Sequence, residues 1–156
     1  MADTIHTLAS TRKEQYAELL PQVKGLLEPE ENTIANLANL AAVLKTTFDF
    51  HWVGFYMVQG KELVLGPFQG PVACTRLQWG RGVCAAAWEE KKVQVVPDVD
   101  AFAGHVACSP FSKSELVLPL FNKEREVWTV LDIDSSNLND FSEVDVEGLK
   151  ALTQWL

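Results

Sequence analysis

The sequence predicts an α+β fold in which helical segments at both ends flank a run of β-strands. Glu31–Phe48 carries apolar residues at helical spacing, and a second amphipathic pattern with an N-terminal cap begins near Ser142. Between them, Glu115–Phe121 and Val127–Ile133 are apolar runs of strand length joined by a charged turn. We therefore expect these two strands at the centre of an antiparallel sheet.

The first half of the chain should contribute helices and then a hairpin. An amphipathic stripe over Thr11–Leu27 predicts one or two short helices, because Pro21 should kink or divide the pattern. His51–Gln59 and Glu62–Phe68 are strand-like and are separated by a glycine-containing turn, which is typical of a hairpin. A third strand is expected over Val72–Leu77.

The second half contains a short helix, a short strand and a long loop. Val83–Glu90 is alanine-rich and predicts a helix, and Val93–Val96 resembles a buried strand. The following stretch, Pro97–Ser114, has no clear periodicity, and a loop of this length in a compact domain is usually functional. The final helix should begin at a capping box formed by Ser142 and Asp145.

Length and composition limit the classes of function. A chain of 156 residues with 47% hydrophobic residues predicts one globular domain over residues 1–156. The net charge of -8 should repel nucleic-acid phosphates and anionic lipid surfaces, so we expect neither as a partner. Met1–His6 lacks a basic region followed by an apolar run, and no stretch is long enough to cross a membrane, which predicts a soluble, cytoplasmic protein.

Two aspartates near the end of a predicted strand form a candidate ligand site. Asp132 and Asp134 point to one face because they are two residues apart, while Leu131 and Ile133 point to the other. In one interpretation the strand ends near Asp132 and both acids are solvated. In the other they bind a ligand ammonium, and their repulsion raises the pKa of one of them. Glu115, which opens the neighbouring strand, could join this pair.

Aromatic residues on another predicted strand could wall the same pocket. Trp52, Gly54 and Tyr56 alternate onto one face, and Gly54 would leave space between the two rings. Such pairs are also common in ordinary cores. Their proximity to the acids and to a cysteine-containing loop favours the interpretation as a pocket.

Three cysteines are candidates for thiol chemistry. An odd number of cysteines in a reducing compartment indicates packing, metal binding or redox chemistry rather than a disulfide framework. Cys108 lies in the long loop with His105 three residues before it, and Cys84 lies near a helix start, where the dipole favours a thiolate. Cys74 completes the set. Zinc is an open alternative, since the three cysteines and His105 could supply four ligands, although the spacing lacks the paired ligands of structural zinc sites.

Six short motifs are spread over nearly the whole chain. They are His51-Trp52-Val53-Gly54-Phe55-Tyr56, Leu65-Gly66-Pro67-Phe68-Gln69-Gly70, Gly82-Val83-Cys84, Gly104-His105-Val106-Ala107-Cys108, Ser114-Glu115 and Leu131-Asp132-Ile133-Asp134-Ser135. Together they resemble the motifs of the free methionine-(R)-sulfoxide reductase family. The resemblance implies a GAF-type domain with a six-stranded antiparallel sheet, terminal helices on one face and a loop-enclosed ligand pocket on the other.

The resemblance also implies roles for the candidate residues. Cys108 would be the nucleophile that takes the sulfoxide oxygen, Cys74 the resolving partner, and Cys84 an auxiliary or alternative resolving thiol. The cycle would pass through a cysteine sulfenic acid and a disulfide that thioredoxin reduces, with no metal or organic cofactor. The preference for the (R) epimer of free methionine sulfoxide comes from the resemblance alone. The implied substrate-site residues are Trp52, Tyr56, Glu115, Asp132 and Asp134.

Two further expectations are less specific. By analogy with this fold class, the terminal helices could form a homodimer face. A GAF module that binds a small ligand or senses redox state without turnover is the alternative function.

Overall fold

The computed structural model describes residues 4–156, so the part of the N-terminal expectation that depends on Met1–Asp3 lies outside it. No helix within the described range is both long enough and apolar enough to cross a membrane. The helices are α1 (Arg12–Leu27), α2 (Thr33–Phe48), α3 (Val83–Glu90) and α4 (Glu143–Leu152), with 3-10 turns at Val99–Ala101 and Thr153–Trp155. The strands are β1 (Trp52–Gln59), β2 (Glu62–Gln69), β3 (Arg76–Gln78), β4 (Gln94–Val96), β5 (Ser114–Phe121) and β6 (Val127–Ser135).

The strands form one antiparallel sheet of six strands in the order β3-β2-β1-β6-β5-β4. Strand β6 lies between β1 and β5, with Asp134 opposite Trp52 on one side and opposite Glu115 on the other. The predicted α+β fold is confirmed. Both β5 and β6 are interior strands, but the centre of the sheet is formed by β1 and β6, so the expected central pair is right for β6 only. The register places the aromatic residues of β1 and the acidic residues of β5 and β6 on one face of the sheet.

The two faces of the sheet bury different sets of residues. One face carries Val53, Phe55, Leu131 and Ile133, which pack against apolar residues of α1, α2 and α4 in a single core. The opposite face packs against α3 in a second, smaller cluster that contains Trp52, Tyr56 and Cys84. The terminal helices therefore lie on one face, as the resemblance implied, and the other face is left for a pocket.

The helical termini follow their predicted sequence signals. The capping box is present at the start of α4, where Ser142 and Asp145 each accept a backbone hydrogen bond. Helix α1 is continuous through Pro21, so the expected division is wrong. Pro21 lies on the exposed side of the helix. Proline cannot donate a backbone hydrogen bond, but on the exposed side of the helix water can bond to the carbonyl group that would have accepted it.

Most strand boundaries differ from the prediction by at most one residue, and the two larger differences concern the site. Strand β3 begins only at Arg76, because Val72–Thr75 runs as a loop in which the Thr75 carbonyl still accepts from the Leu65 amide at 3.0 Å. Strand β6 continues to Ser135, two residues beyond its predicted end. The interpretation of Asp132 as a solvated strand end is therefore wrong.

Candidate active site

A small cavity of about 40 Å³ lies between the sheet and helix α3, on the face opposite the terminal helices. Its walls come from β1, β5 and β6, the start of α3, the loop before β3 and the long loop before β5. The predicted site residues that line it are Trp52, Tyr56, Cys84, Cys108, Glu115, Asp132 and Asp134. Cys74 is not among the lining residues but adjoins the lining residue Ala73.

A disulfide bond joins Cys74 to Cys108 across a sequence separation of 34 residues, with Cα atoms 5.5 Å apart. Both cysteines are half-buried, whereas Cys84 is a free thiol that is only 4% exposed. The pairing implied by the resemblance is therefore present in the structure. The four-ligand zinc site that the sequence left open is not assembled in this form, because two of its three thiols are bonded to each other.

Three carboxyl groups face the cavity from adjacent strands. Glu115 lies opposite Asp134 in the β5–β6 ladder, and Asp132 lies two residues earlier on the same face of β6. Burial, together with the charge of Asp134, raises the pKa of Glu115 to about 8. Burial, and then the charge of Glu115, also raises the pKa of Asp132. Burial and the charge of Asp132 raise the pKa of Asp134. The sequence predicted that repulsion raises the pKa of one of the two aspartates. In the structure the pKa values of all three acids are raised, and burial is the larger cause.

Two loop side chains contact these acids, and one of them, Ser112, was not predicted from the sequence. The Ser112 hydroxyl donates a hydrogen bond to Asp134. His105 Nε2 lies 3.6 Å from a Glu115 carboxyl oxygen, so an ion pair forms there when the imidazole is protonated. Ser112 precedes β5 in the aperiodic loop, where no pattern marks a residue as functional. Ser112 reaches Asp134 only because the loop folds back over the strand.

Cys84 is the second residue of helix α3, yet its thiol is not activated by the helix start. Burial, followed by the nearby charge of Asp132, raises its pKa well above the usual value. The expectation that the helix dipole favours a thiolate at Cys84 is therefore wrong, because desolvation and a neighbouring carboxylate dominate. In this environment Cys84 is a neutral, weakly nucleophilic thiol.

The aromatic residues of β1 do more than wall the cavity. Trp52 stacks on Tyr56 with ring centroids 5.9 Å apart and on Phe68 at 5.3 Å. A Cβ at position 54 would overlap the Trp52 ring, so this stack requires Gly54, as the sequence predicted. The Tyr56 hydroxyl donates to the Cys74 carbonyl oxygen at 2.9 Å, so β1 holds the segment that carries one half of the disulfide.

The other half of the disulfide is also held by β1 and its preceding turn. His51 Nε2 lies 3.0 Å from the hydroxyl oxygen of Ser109, the residue after Cys108. The Trp52 indole N–H donates to the Pro71 carbonyl at 3.1 Å. The side chains of His51, Trp52 and Tyr56 thus contact both loops that meet at the disulfide.

Comparison with known proteins agrees with this geometry. The model of the GAF domain family matches residues 29–154. The chain is 55% identical to GAF domain-containing protein A of Dictyostelium discoideum, over all of this chain and 97% of that protein. It is 43% identical to the free methionine-R-sulfoxide reductase of Escherichia coli, over 93% of this chain and 88% of that protein. The chain belongs to the free methionine-R-sulfoxide reductase family.

A crystal structure from the free methionine-R-sulfoxide reductase family supports the same assignment. The enzyme from Neisseria meningitidis, solved in complex with its substrate, is 47% identical and superposes with a TM-score of 0.93. The alignment covers 97% of this chain and 94% of that chain. The family resemblance stated from the sequence motifs is therefore confirmed, and so is the GAF fold.

Proposed function

We propose that this protein reduces free L-methionine-(R)-sulfoxide to methionine with Cys108 as the nucleophile. The observation that carries the proposal is the Cys74–Cys108 disulfide beside a buried cavity lined by three carboxyl groups. A disulfide is the product expected when one thiol accepts oxygen and a second thiol displaces it as water. The substrate and its stereochemistry follow those named for the relatives.

The first step transfers oxygen from the substrate to Cys108. The Cys108 thiolate attacks the sulfoxide sulfur and forms a transient bond between the two sulfur atoms, and the sulfoxide oxygen accepts a proton. The hydroxyl then passes to the Cys108 sulfur: its bond to the methionine sulfur and the bond between the two sulfurs break, and a new S–O bond leaves a sulfenic acid on Cys108. Two electrons pass from the cysteine sulfur to the methionine sulfur, and methionine leaves as a neutral thioether.

The carboxyl groups divide the remaining tasks. Glu115 is buried and faces the cavity, and its carboxyl is largely protonated at neutral pH, which suits it to donate the proton to the sulfoxide oxygen. Asp132 and Asp134, on the neighbouring strand, bind the ammonium of the amino acid. The stacked rings of Trp52 and Tyr56 enclose the methyl and methylene groups.

The second step regenerates the thiols. The Cys74 thiol attacks the Cys108 sulfenic acid, which forms the disulfide and releases water. A dithiol protein of the thioredoxin class then reduces this disulfide and is itself oxidised to a disulfide. Cys84 is buried, neutral and unpaired in the disulfide form, so it serves at most as an auxiliary thiol.

The disulfide form is the resting product of this cycle rather than the substrate-binding form. A cavity of about 40 Å³ accommodates a few water molecules, whereas the substrate has about ten non-hydrogen atoms. Reduction frees Cys108 from Cys74 and allows the long loop to move outward. Because loops close the cavity, a methionine sulfoxide within a peptide would be excluded.

The wider setting of the protein is also part of the proposal. Residues 1–156 act as one catalytic domain in the cytoplasm, where thioredoxin-class reductants operate. Two copies pair through the terminal helices α1 and α4. Light scattering of the purified protein tests the pairing, since a monomer mass would contradict it.

The decisive experiment measures methionine formed from separated (R) and (S) epimers of the free sulfoxide, with and without thioredoxin. We expect turnover with the (R) epimer only, and turnover beyond one equivalent only when reductant is present. Cys108→Ser should abolish all product. N-acetylmethionine sulfoxide provides the matched control, because it carries the same sulfoxide without the free ammonium.

The same assay separates the alternative function. A non-catalytic ligand-binding or redox-sensing module would bind methionine sulfoxide, or change its disulfide state, without releasing methionine. Wild-type turnover by Cys108→Ser would overturn the assignment of the nucleophile.

A further inference from the structure

A thiol and two carboxyl groups converge inside the cavity on three different elements of the fold. One donor atom from each of Cys84, Glu115 and Asp132 lies within 4.8 Å of the other two. Cys84 comes from helix α3, Glu115 from β5 and Asp132 from β6. All three residues are at least nine-tenths buried. The packing of helix α3 on the sheet therefore fixes their mutual positions.

One atom of this cluster accepts no hydrogen bond. Within residues 4–156, the buried Oδ1 of Asp132 has no donor partner. An unpartnered buried acceptor is destabilising, and more so when it is charged. No lysine or arginine of the described residues forms an ion pair with Asp132 or Glu115. The cationic side chains that line the cavity are Arg81 and His105, and His105 pairs with Glu115 rather than with the free oxygen of Asp132.

The size of the cavity decides between possible occupants. A volume of about 40 Å³ suits an ion with one or two water molecules, and it is too small for an amino acid. The disulfide form, which cannot enclose the substrate, can therefore enclose a metal ion.

We propose that the disulfide form of this protein binds a zinc-class divalent cation through Cys84 Sγ and one carboxylate oxygen each of Glu115 and Asp132. A thiolate ligand selects zinc over magnesium or calcium, and zinc accepts mixed sulfur and oxygen ligands in tetrahedral sites. Zinc distances of about 2.0–2.3 Å require donors roughly 3.5 Å apart, so side-chain adjustments of about 1 Å close the site. Cys84 and Glu115 release their protons to solvent as they coordinate, and so does Asp132 where it is protonated.

The consequence for activity depends on the proposed function. An ion held by Glu115 and Asp132 occupies the groups that would protonate the sulfoxide and bind the substrate ammonium. Zinc bound to the disulfide form should therefore slow turnover, because it must leave before the reduced form can bind methionine sulfoxide.

The test uses Co²⁺ as a spectroscopic substitute for zinc and the oxidised protein, in which Cys74 and Cys108 cannot coordinate. We expect a thiolate-to-cobalt charge-transfer band in the near ultraviolet, which added Zn²⁺ abolishes. Cys84→Ser should lose the band and bind Zn²⁺ at least about tenfold more weakly by calorimetry. Asp132→Asn keeps the thiol and should also weaken binding, whereas the exposed acid variant Glu124→Gln should behave like wild type.

Two results would overturn the inference. The first is a wild-type oxidised protein without the charge-transfer band, and the second is a band that persists in Cys84→Ser. Circular dichroism of each variant shows whether it is folded. Metal binding to the oxidised form needs no turnover, so a protein that does not bind cobalt leaves the proposed function intact. An inactive protein that still binds cobalt would contradict the proposed function alone.

Discussion

The hydroxyl of Tyr56 donates a hydrogen bond to the backbone carbonyl oxygen of Cys74 at 2.9 Å. Strand β1 thereby positions the proposed resolving cysteine from the opposite side of the cavity. Burial and the charge of Asp132 raise the pKa of Tyr56, so the phenol keeps its proton and remains a donor throughout the neutral range.

Tyr56→Phe should slow the formation of the disulfide by a factor of about two to ten, because one hydrogen bond contributes about 0.5–1.5 kcal/mol. Quenched-flow thiol counting after one turnover measures this rate. Tyr16→Phe is the matched control, since the Tyr16 hydroxyl also bonds a buried partner, Asp145, but on the helical face. Equal rates of disulfide formation in the two variants would contradict the positioning role of Tyr56.

Cys74→Ser should release one equivalent of methionine per protein and then stop, because the Cys108 sulfenic acid has lost its bonded partner. Cys84→Ser should continue to turn over with reductant, since Cys84 is buried and takes no part in the disulfide. Product counting and trapping of the sulfenic acid with dimedone check both outcomes. Full recycling by Cys74→Ser would transfer the resolving role to Cys84.

Gly54→Ala should weaken substrate binding, because the added methyl group displaces the Trp52 ring from its stack. We expect a higher KM and a loss of about 1–3 kcal/mol in the free energy of unfolding, as for other overpacked sites. Gly148→Ala would crowd Tyr16 on the helical face, so it should destabilise the protein without changing KM. Steady-state kinetics with urea unfolding separates the two effects, and an unchanged KM in Gly54→Ala would refute the role of the stack.

The stability of the protein should fall as pH rises from about 5 to about 8. Glu115 loses its proton near its ordinary value of 4.5 in the unfolded chain but only near 8 in the folded protein. Across that interval the folded state binds more protons, so the free energy of unfolding decreases with pH. Urea midpoints measured with a chelator present test this, and Glu115→Gln should give a shallower slope than wild type or Glu124→Gln. A stability that rises over this interval would contradict the inferred environment of Glu115.

Period-two and helical patterns predicted those parts of the fold that bury a regular face. The alternation around Asp132 correctly placed both aspartates on one face, since a strand fixes side-chain direction locally. The pattern did not reveal that the strand continues to Ser135, because the extra residues are polar and their burial comes from distant partners.

The contacts that complete the site were not predictable for the same reason. The hydrogen bonds from Ser112 to Asp134 and from Tyr56 to the Cys74 carbonyl join a loop to a strand across 22 and 18 residues. Irregular loops have no periodic sequence pattern, so such contacts can be recognised only in the folded structure. The sequence therefore identified most of the residues that line the cavity but not the contacts that position them.

The place of β6 between β1 and β5 also governs biosynthesis. A nascent chain that has not yet reached Val127 has two separate strand groups, β3-β2-β1 and β5-β4, each with an open hydrogen-bonding edge. Insertion of β6 closes both edges and delivers Asp132 and Asp134 in the same event. We therefore expect a prematurely terminated product to be inactive and prone to self-association. Translation must be nearly finished before the chain can bind its substrate.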